Sequence, residues 1–272
     1  MMKTIGMALF CAAFLVAQDG PEKATVPLDN PSRPARIQAH LIAGSIIVRG
    51  ADVNNVVVEA HSRGREESHD HRPARTEGMK RLDLGGNSGL DVVEENNVVN
   101  IKTASWGSPV DLMITVPRHS SLELKSVNDG NIDVEGVDGE IDADDLNGKI
   151  SLKNVAGSVV AHSLNGEVVA TMNRVDPSKP MSFSTMNGNI DVTLPENVKA
   201  NVRMKTDNGE IYSDFDVKLA SGTRMVQSER GNSQDGKYHV QFDRALRGTI
   251  NGGGPEFQFT SFNGQIYIRK VK

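Results

Sequence analysis

Three histidines, His61, His69 and His71, share one charged stretch with Glu66, Glu67 and Asp70. A His-x-His pair beside carboxylates is a donor set for Zn²⁺ or Cu²⁺. Here the spacing matches no standard site, and Arg63, Arg65, Arg72 and Arg75 crowd the same stretch with positive charge. The expectation over residues 61–80 is therefore a long solvated loop, with no metal assigned. A second group is acidic. Asp133 and Asp142 take the same place in consecutive copies of a nine-residue phrase, near Asp129, Asp138, Asp144 and Asp145. Stacked carboxylates would suit Ca²⁺, or the acid/base pair of a glycan-cleaving β-helix. The extra glycines and the aspartate of the Ca²⁺-binding nonapeptide are missing, so a solubilising face is expected.

Other chemistry is sparse. The sequence has no Gly-x-Ser-x-Gly, no phosphate-cradling glycine loop and no His-Glu-x-x-His. The cluster Gly252, Gly253 and Gly254 precedes Pro255 and no helix pattern, so it reads as a turn. Tyr212 and Tyr267 take outward places in their phrases, where they could touch a sugar or a peptide. Trp106 sits in a Gly/Ser/Pro turn and suits a packed cap as well as a ligand platform. No catalytic, cofactor-binding or metal residue is assigned, no cofactor is expected, and binding residues stay unassigned.

The elements that must position these residues are β-strands. Short alternating or β-branched runs bounded by Gly, Asn, Asp or Pro cover Ile37–Ile42, Ser45–Val48, Val56–Ala60, Leu90–Val93, Val98–Thr103, Val110–Val116 and Leu122–Lys125. No window keeps the helical spacing of apolar residues. Gly130, Gly139, Gly148, Gly157 and Gly166 then follow at nine-residue intervals. Apolar residues stand two and four places after each, as in Ile132/Val134, Ile141/Ala143 and Ile150/Leu152. Asn147-Gly148 and Asn165-Gly166 lie 18 apart, so the unit is readable as two nine-residue halves. The phrase returns around Gly188, Gly209 and Gly264, with a faint copy around Gly44.

A short strand cannot bury its face alone, but stacked copies can, at about 4.8 Å per layer. This spacing predicts an all-β, single-domain β-solenoid over 37–272. The alternative is an antiparallel β-sandwich, because Asn-Gly is also a strong hairpin signal. Strict spacing favours stacking. The strands before Leu122 and the segment from Gly231 are expected to cap the open ends.

Composition agrees. Among 272 residues 26 are Gly and 4% are aromatic, which suits a narrow core with many corners. The net charge of −5 argues against a nucleic-acid partner. Residues 1–17 begin Met-Met-Lys and run apolar from Ile5 to Val16 before Ala17, the pattern of a secretory signal peptide. That run is shorter than the roughly 20 residues a bilayer span needs, so no membrane-spanning segment is expected after signal removal. Cleavage would remove Cys11, the single cysteine, and Lys3 but no acid, taking the charge from −5 to −6. Residues 18–36, with Pro21, Pro27, Pro31 and Pro34, read as a Pro-rich leader.

Two passages carry a family resemblance. Asp111-Leu-Met-Ile-Thr-Val-Pro117 runs into Leu122–Val134 and the glycine phrases, and Phe257–Lys270 closes the chain after Gly253-Gly254-Pro255. This pattern resembles the bacterial putative-adhesin family of exported β-strand-repeat proteins, often described as a domain of unknown function. The resemblance covers about residues 37–272 and is clearest over 110–213 and 248–270. It implies a right-handed β-helix-like fold, an envelope location and no established catalysis. The 61–80 loop and Asp129, inserted between Asn128 and Gly130, depart from the pattern.

The resulting expectation is a non-catalytic exported protein, periplasmic, cell-surface or extracellular, with a structural or adhesive role. Its partner would be an envelope protein or a glycan. A polysaccharide-binding or polysaccharide-cleaving β-helix using outward aspartates, and a self-associating envelope scaffold, are the alternatives.

Overall fold

The computed structural model describes residues 22–63, 89–103, 109–220, 226–229, 239–242 and 245–271. In chain order the strands are β1 (Glu22–Pro27), β2 (Ala35–Ala43), β3 (Ile46–Ala51), β4 (Asn55–Ser62), β5 (Leu90–Glu95), β6 (Val98–Thr103), β7 (Val110–Pro117) and β8 (Ser120–Asn128). They continue as β9 (Ile132–Glu135), β10 (Asp138–Asp145), β11 (Ile150–Asn165), β12 (Val168–Val175), β13 (Met181–Asn187), β14 (Ile190–Leu194), β15 (Ala200–Asn208) and β16 (Ile211–Ser213). The last are β17 (Lys218–Leu219), β18 (Val226–Glu229), β19 (His239–Phe242), β20 (Leu246–Ile250), β21 (Glu256–Asn263) and β22 (Ile266–Lys270). No helix occurs among the described residues.

Alternation decides which side each strand buries. In β7 every second residue is buried, and these are Val110, Leu112, Ile114 and Val116. The same period runs through β2, β8, β13, β14 and β21. Pairing gathers the strands into two long ladders. In the first the parallel order is β6, β2, β8, β10, the second part of β11, β13, β21 and β15. In the second it is β7, β3, β9, the first part of β11, β12, β14, β22 and β16. The buried rows of both belong to one core cluster. Each fully buried Val, Leu, Ile or Phe there contributes about 1.5–3 kcal/mol.

One strand from each ladder makes a rung, so the β-solenoid reading holds. Successive rungs are β6/β7, β2/β3, β8/β9, β10/β11, β11/β12, β13/β14, β21/β22 and β15/β16. The nine-residue phrase is half a rung, and the chain changes ladder after each copy. β11 shows this directly. It leaves the second ladder after Lys153, bends with Asn154 at φ 54°, and enters the first.

Antiparallel pairs close the ends. β1 and β4 cover β7, β5 covers β6, and β20 and β17 cover β15. The expected segments do supply these end strands, β1, β4 and β5 before Leu122 and β20 after Gly231, but only part of each segment caps. β2/β3, before Leu122, and β21/β22, after Gly231, are internal rungs, each second from its end. Their alternating cores match both neighbours, which a cap would not need to do.

The segment expected as a leader also differs where it is described. Glu22–Pro27 pairs with β4, at an edge where proline costs no ladder bond. The following turn is clasped by the half-turn between β5 and β6. Asn97 accepts from the Asn30 N–H at 2.7 Å and donates to Asn30 O at 2.7 Å and Arg33 O at 3.3 Å. Of the stretch 61–80 expected as a charged loop, His61 and Ser62 end β4 instead, while 64–80 lie outside the described residues, as do 1–17.

Corners repeat one chemistry. On one side of the stack the asparagine before the corner glycine, or before Asp129-Gly130 in the case of Asn128, joins a ladder of side-chain amides. Asn147 donates to Asn128, Asn165 to Asn147, Asn187 to Asn165, Asn263 to Asn187 and Asn208 to Asn263, all at 2.7–3.0 Å. Asn165→Ala removes one donor and one acceptor, and water reaches both orphaned partners. The expected cost is about 1–2 kcal/mol, read from urea unfolding.

Candidate binding edge

Three residues before each corner glycine, or four before Gly130 where Asp129 is inserted, stands an inward polar side chain. In rung order these are Ser126, Asp145, Ser163, Thr185, Ser261 and Thr206. Five of the six are hydroxyls. Each donates to the glycine carbonyl of the neighbouring corner: Ser126 to Gly44, Ser163 to Gly148, Thr185 to Gly166, Ser261 to Gly188 and Thr206 to Gly264, at 2.8–3.1 Å. Because this column points inward, the next residue must point outward. That next residue is apolar after five of the six, all but Thr206, and Ile42, which follows buried Leu41, extends the row to a sixth consecutive rung.

The outcome is an outward stripe of Ile42, Val127, Leu146, Leu164, Met186 and Phe262, exposed along its length except at Leu164, which is half-buried. Ile42 is 49% exposed, Leu146 40%, Met186 45% and Phe262 45%. At about 4.8 Å per rung the stripe is some 24 Å long. Asp207 on β15 ends it and pairs with Lys205 at 3.6 Å. The Asn ladder borders the stripe on its corner side. Leu146 and Leu164 stand two places before glycine, and the polar residues one place earlier, Asp145 and Ser163, were the signal for their outward orientation.

The acidic pair is corrected. Asp133 lies on β9 in the second ladder, opposite Ile47 and Ser151. Asp142 lies on β10 in the first, opposite Glu123 and Val160. Copies nine residues apart fall on different ladders, so these carboxylates do not stack. Asp138 is paired with Arg174 at 2.5 Å and approached by His119 at 3.4 Å. Asp129 takes a left-handed φ of 57°, and its carbonyl accepts from Arg63, whose guanidinium also clasps both Asp111 oxygens. Asp144 faces outward beside buried Asp145. Of the histidine group, His61 ends up opposite Asp111 on β7. His69, His71, Glu66, Glu67, Asp70 and Trp106 lie outside the described residues. Among the described residues no three His, Cys, Asp or Glu side chains gather as a metal site.

The two tyrosines do come together. Tyr212 on β16 and Tyr267 on β22 are register partners, stacked at 5.3 Å and 9°. Arg269 lies 5.0 Å over Tyr267 and grips Asp191 through two bonds of 2.7 and 3.0 Å. On the opposite corner of the stack a shallow groove is lined by His119, Asp138, Glu140, Arg174 and Lys179. Of its three carboxylates, Asp138 pairs with Arg174, Glu140 with Lys179, and Asp176 accepts from the Ser178 N–H and hydroxyl. On the outer face of the first ladder, hydrogen bonds from Gln38, Arg36 and Lys125 hold the Glu123 carboxyl down to about 2.

Residues 140–251 match the family described as Toastrack DUF4097. The match overlaps the stretch in which the resemblance to exported β-strand-repeat proteins is clearest, and the resemblance holds. Two crystal structures follow a similar course. A putative cell adhesion protein from Clostridium sporogenes ATCC 15579 is 9% identical with a TM-score of 0.45, over 92% of this chain and 100% of its own. A putative adhesin from Bacteroides fragilis NCTC 9343 is 8% identical with a TM-score of 0.31, over 93% and 98%. No curated protein matches the chain.

Proposed function

We propose that this chain is a non-catalytic, exported cell-envelope module that works by surface contact, as an adhesive or partner-binding protein. The observation that carries the reading is the apolar stripe. Isolated exposed apolar residues are ordinary, but a contiguous row of them is a recognised sign of an interaction surface. A rigid stack holds such a row straight and in register, so little ordering entropy opposes binding there. Export rests on the signal-like residues 1–17.

The test is a cross-linking pull-down on envelope extract from the native cell, with the exported chain as bait. A Met186→Lys/Phe262→Lys variant is the comparison. The expected result is one dominant protein retained by the wild type, at least tenfold depleted with the variant, while the melting temperature stays within about 2 °C. Equal retention by both would contradict the edge as the contact surface.

The tyrosine pair supports a second reading, polysaccharide binding on the second ladder. Aromatic faces beside a carboxylate and a guanidinium are suited to sugar rings and hydroxyls. Retardation in glycan-containing gels that is lost in Tyr212→Ala would favour it. Self-association end to end is opposed by the terminal strands: β5 carries Asp91, Glu94 and Glu95, and β1 ends on Pro27.

A further inference from the structure

Among the six inward polar residues at the corners, Asp145 is the exception. The others donate a hydroxyl hydrogen to a neighbouring glycine carbonyl. An ionised carboxylate has no hydrogen to give. Asp145 is 0% exposed, and its Oδ1 accepts from the Asn147 N–H at 3.1 Å. Its Oδ2 is buried without a partner. The same Oδ2 and the Gly130 carbonyl oxygen converge on one small space beside Gly148. A Cβ placed on Gly148 would lie 2.6 Å from the first and 1.9 Å from the second. Gly130 is the acceptor that the register assigns to this rung. Two acceptor oxygens aimed into one dry space repel each other unless a hydrogen lies between them.

We propose that Asp145 is a neutral carboxylic acid in the folded protein, its Oδ2 hydroxyl donating to the Gly130 carbonyl in place of the Ser/Thr hydroxyl of the other corners, and that its ionisation is a pH-sensitive switch at this rung. Ionisation removes that hydrogen bond and sets a charge against a carbonyl. The corner formed by Leu146 and Asn147 is the part that must move to admit water. This device does not depend on the stripe binding anything.

The surroundings keep the acid neutral. Burial is the main cause and pushes the carboxyl up to about 6, against the Asn147 N–H, which favours the anion. Asp144, next along β10 and facing out, adds a like charge. Ser126 on β8 and Ser163 on β11 flank Asp145 in register. The strands of the other ladder at this level bury Ile132, Val134, Ile150 and Leu152, none of them ionisable. Lys125, beside Ser126, points outward to Glu123.

The sign follows from proton binding. The folded state holds this proton to higher pH than an unfolded chain, whose aspartates release it near 3.9. The stabilisation is therefore complete below about 4 and lost as pH rises through about 6. Glu123, held down to about 2, loses its stabilising contribution only as pH falls, so it leaves this window alone.

The experiment pairs carboxyl ¹³C NMR of the full chain with melting curves of wild type and Asp145→Asn from pH 4.5 to 8. Asparagine keeps an acceptor for Asn147 and supplies a permanent donor to Gly130. The expected results are an Asp145 Cγ that titrates near 6 and a variant that matches wild type at pH 4.5. At pH 8 the variant should melt roughly 5–10 °C higher. A Cγ titrating near 4 overturns the proposal, as does a melting difference that is the same at every pH. The NMR titration uses the wild type, so it decides the matter even if the variant fails to fold.

Discussion

Gly166→Ala is expected to abolish folding, or to cost at least about 4 kcal/mol, as read by urea unfolding. The reason is steric. A Cβ at Gly166 would stand 1.9 Å from the Gly148 carbonyl oxygen and 2.5 Å from its carbon. Those atoms are the backbone of the adjacent corner and cannot rotate aside. The neighbouring corners repeat the contact: Gly148 against Gly130 at 1.9 Å, Gly188 against Gly166 at 2.2 Å and Gly264 against Gly188 at 1.9 Å. Relief would require the rungs to part, which breaks the ladder bonds and the Asn165–Asn147 bond together. Gly252→Ala is the comparison. Its φ is 90°, yet nothing lies within 4 Å of the added Cβ, so only backbone strain of about 1–2 kcal/mol is expected. If both alanines cost the same, stacking contact is not what selects glycine at these corners.

Phe259→Ala is expected to cost about 3–5 kcal/mol and to loosen two rungs rather than one. Phe259 is fully buried and stacks on Phe183 at 5.4 Å and 11°. Its strand β21 lies between β13 and β15, pairing with both. Apart from β21, β15 pairs only with β20 among the described strands. A cavity at Phe259 therefore weakens the bond of β15 to the rest of the stack as well as that of β21. Amide exchange should quicken in β15 and β21 together, while β10 keeps its protection. Acceleration confined to β21 would contradict the intercalated position.

Much of this was legible in the residues. The alternation of Ile132/Val134 and Ile150/Leu152 is set by what a stacked strand must bury, and glycine at a corner by backbone proximity. Rung order was not legible, because the phrases around Gly44 and Gly264 are as compatible with an internal place as with a terminal one. Pairing is decided by whole buried faces, such as Phe257 and Phe259 against Met181 and Phe183, and no local signal announces it. Asp133 and Asp142 were grouped because nine residues looked like a full turn. The alternative unit of two halves, already visible in Asn147 and Asn165, separates them. The edge was legible only in part: Leu146 and Leu164 look like core residues until Asp145 and Ser163 are seen to take the inward place.

Everything functional here depends on the order of rungs, since the stripe from Ile42 to Phe262 is continuous only if β2 adjoins β8 and β21 adjoins β13. Disulfide trapping tests that most directly. Ser184 and Thr260 are register partners on β13 and β21, and Thr260 is in turn the partner of Lys205 on β15. Neighbouring strands bring Cα atoms to about 4.8 Å, within disulfide reach, whereas two strands away is about 9.6 Å and beyond it. With Cys11 replaced by serine, Ser184→Cys/Thr260→Cys should oxidise to an internal cross-link and Ser184→Cys/Lys205→Cys should stay reduced. The reverse outcome would place β15 directly on β13, take Phe262 out of the stripe and contradict the account.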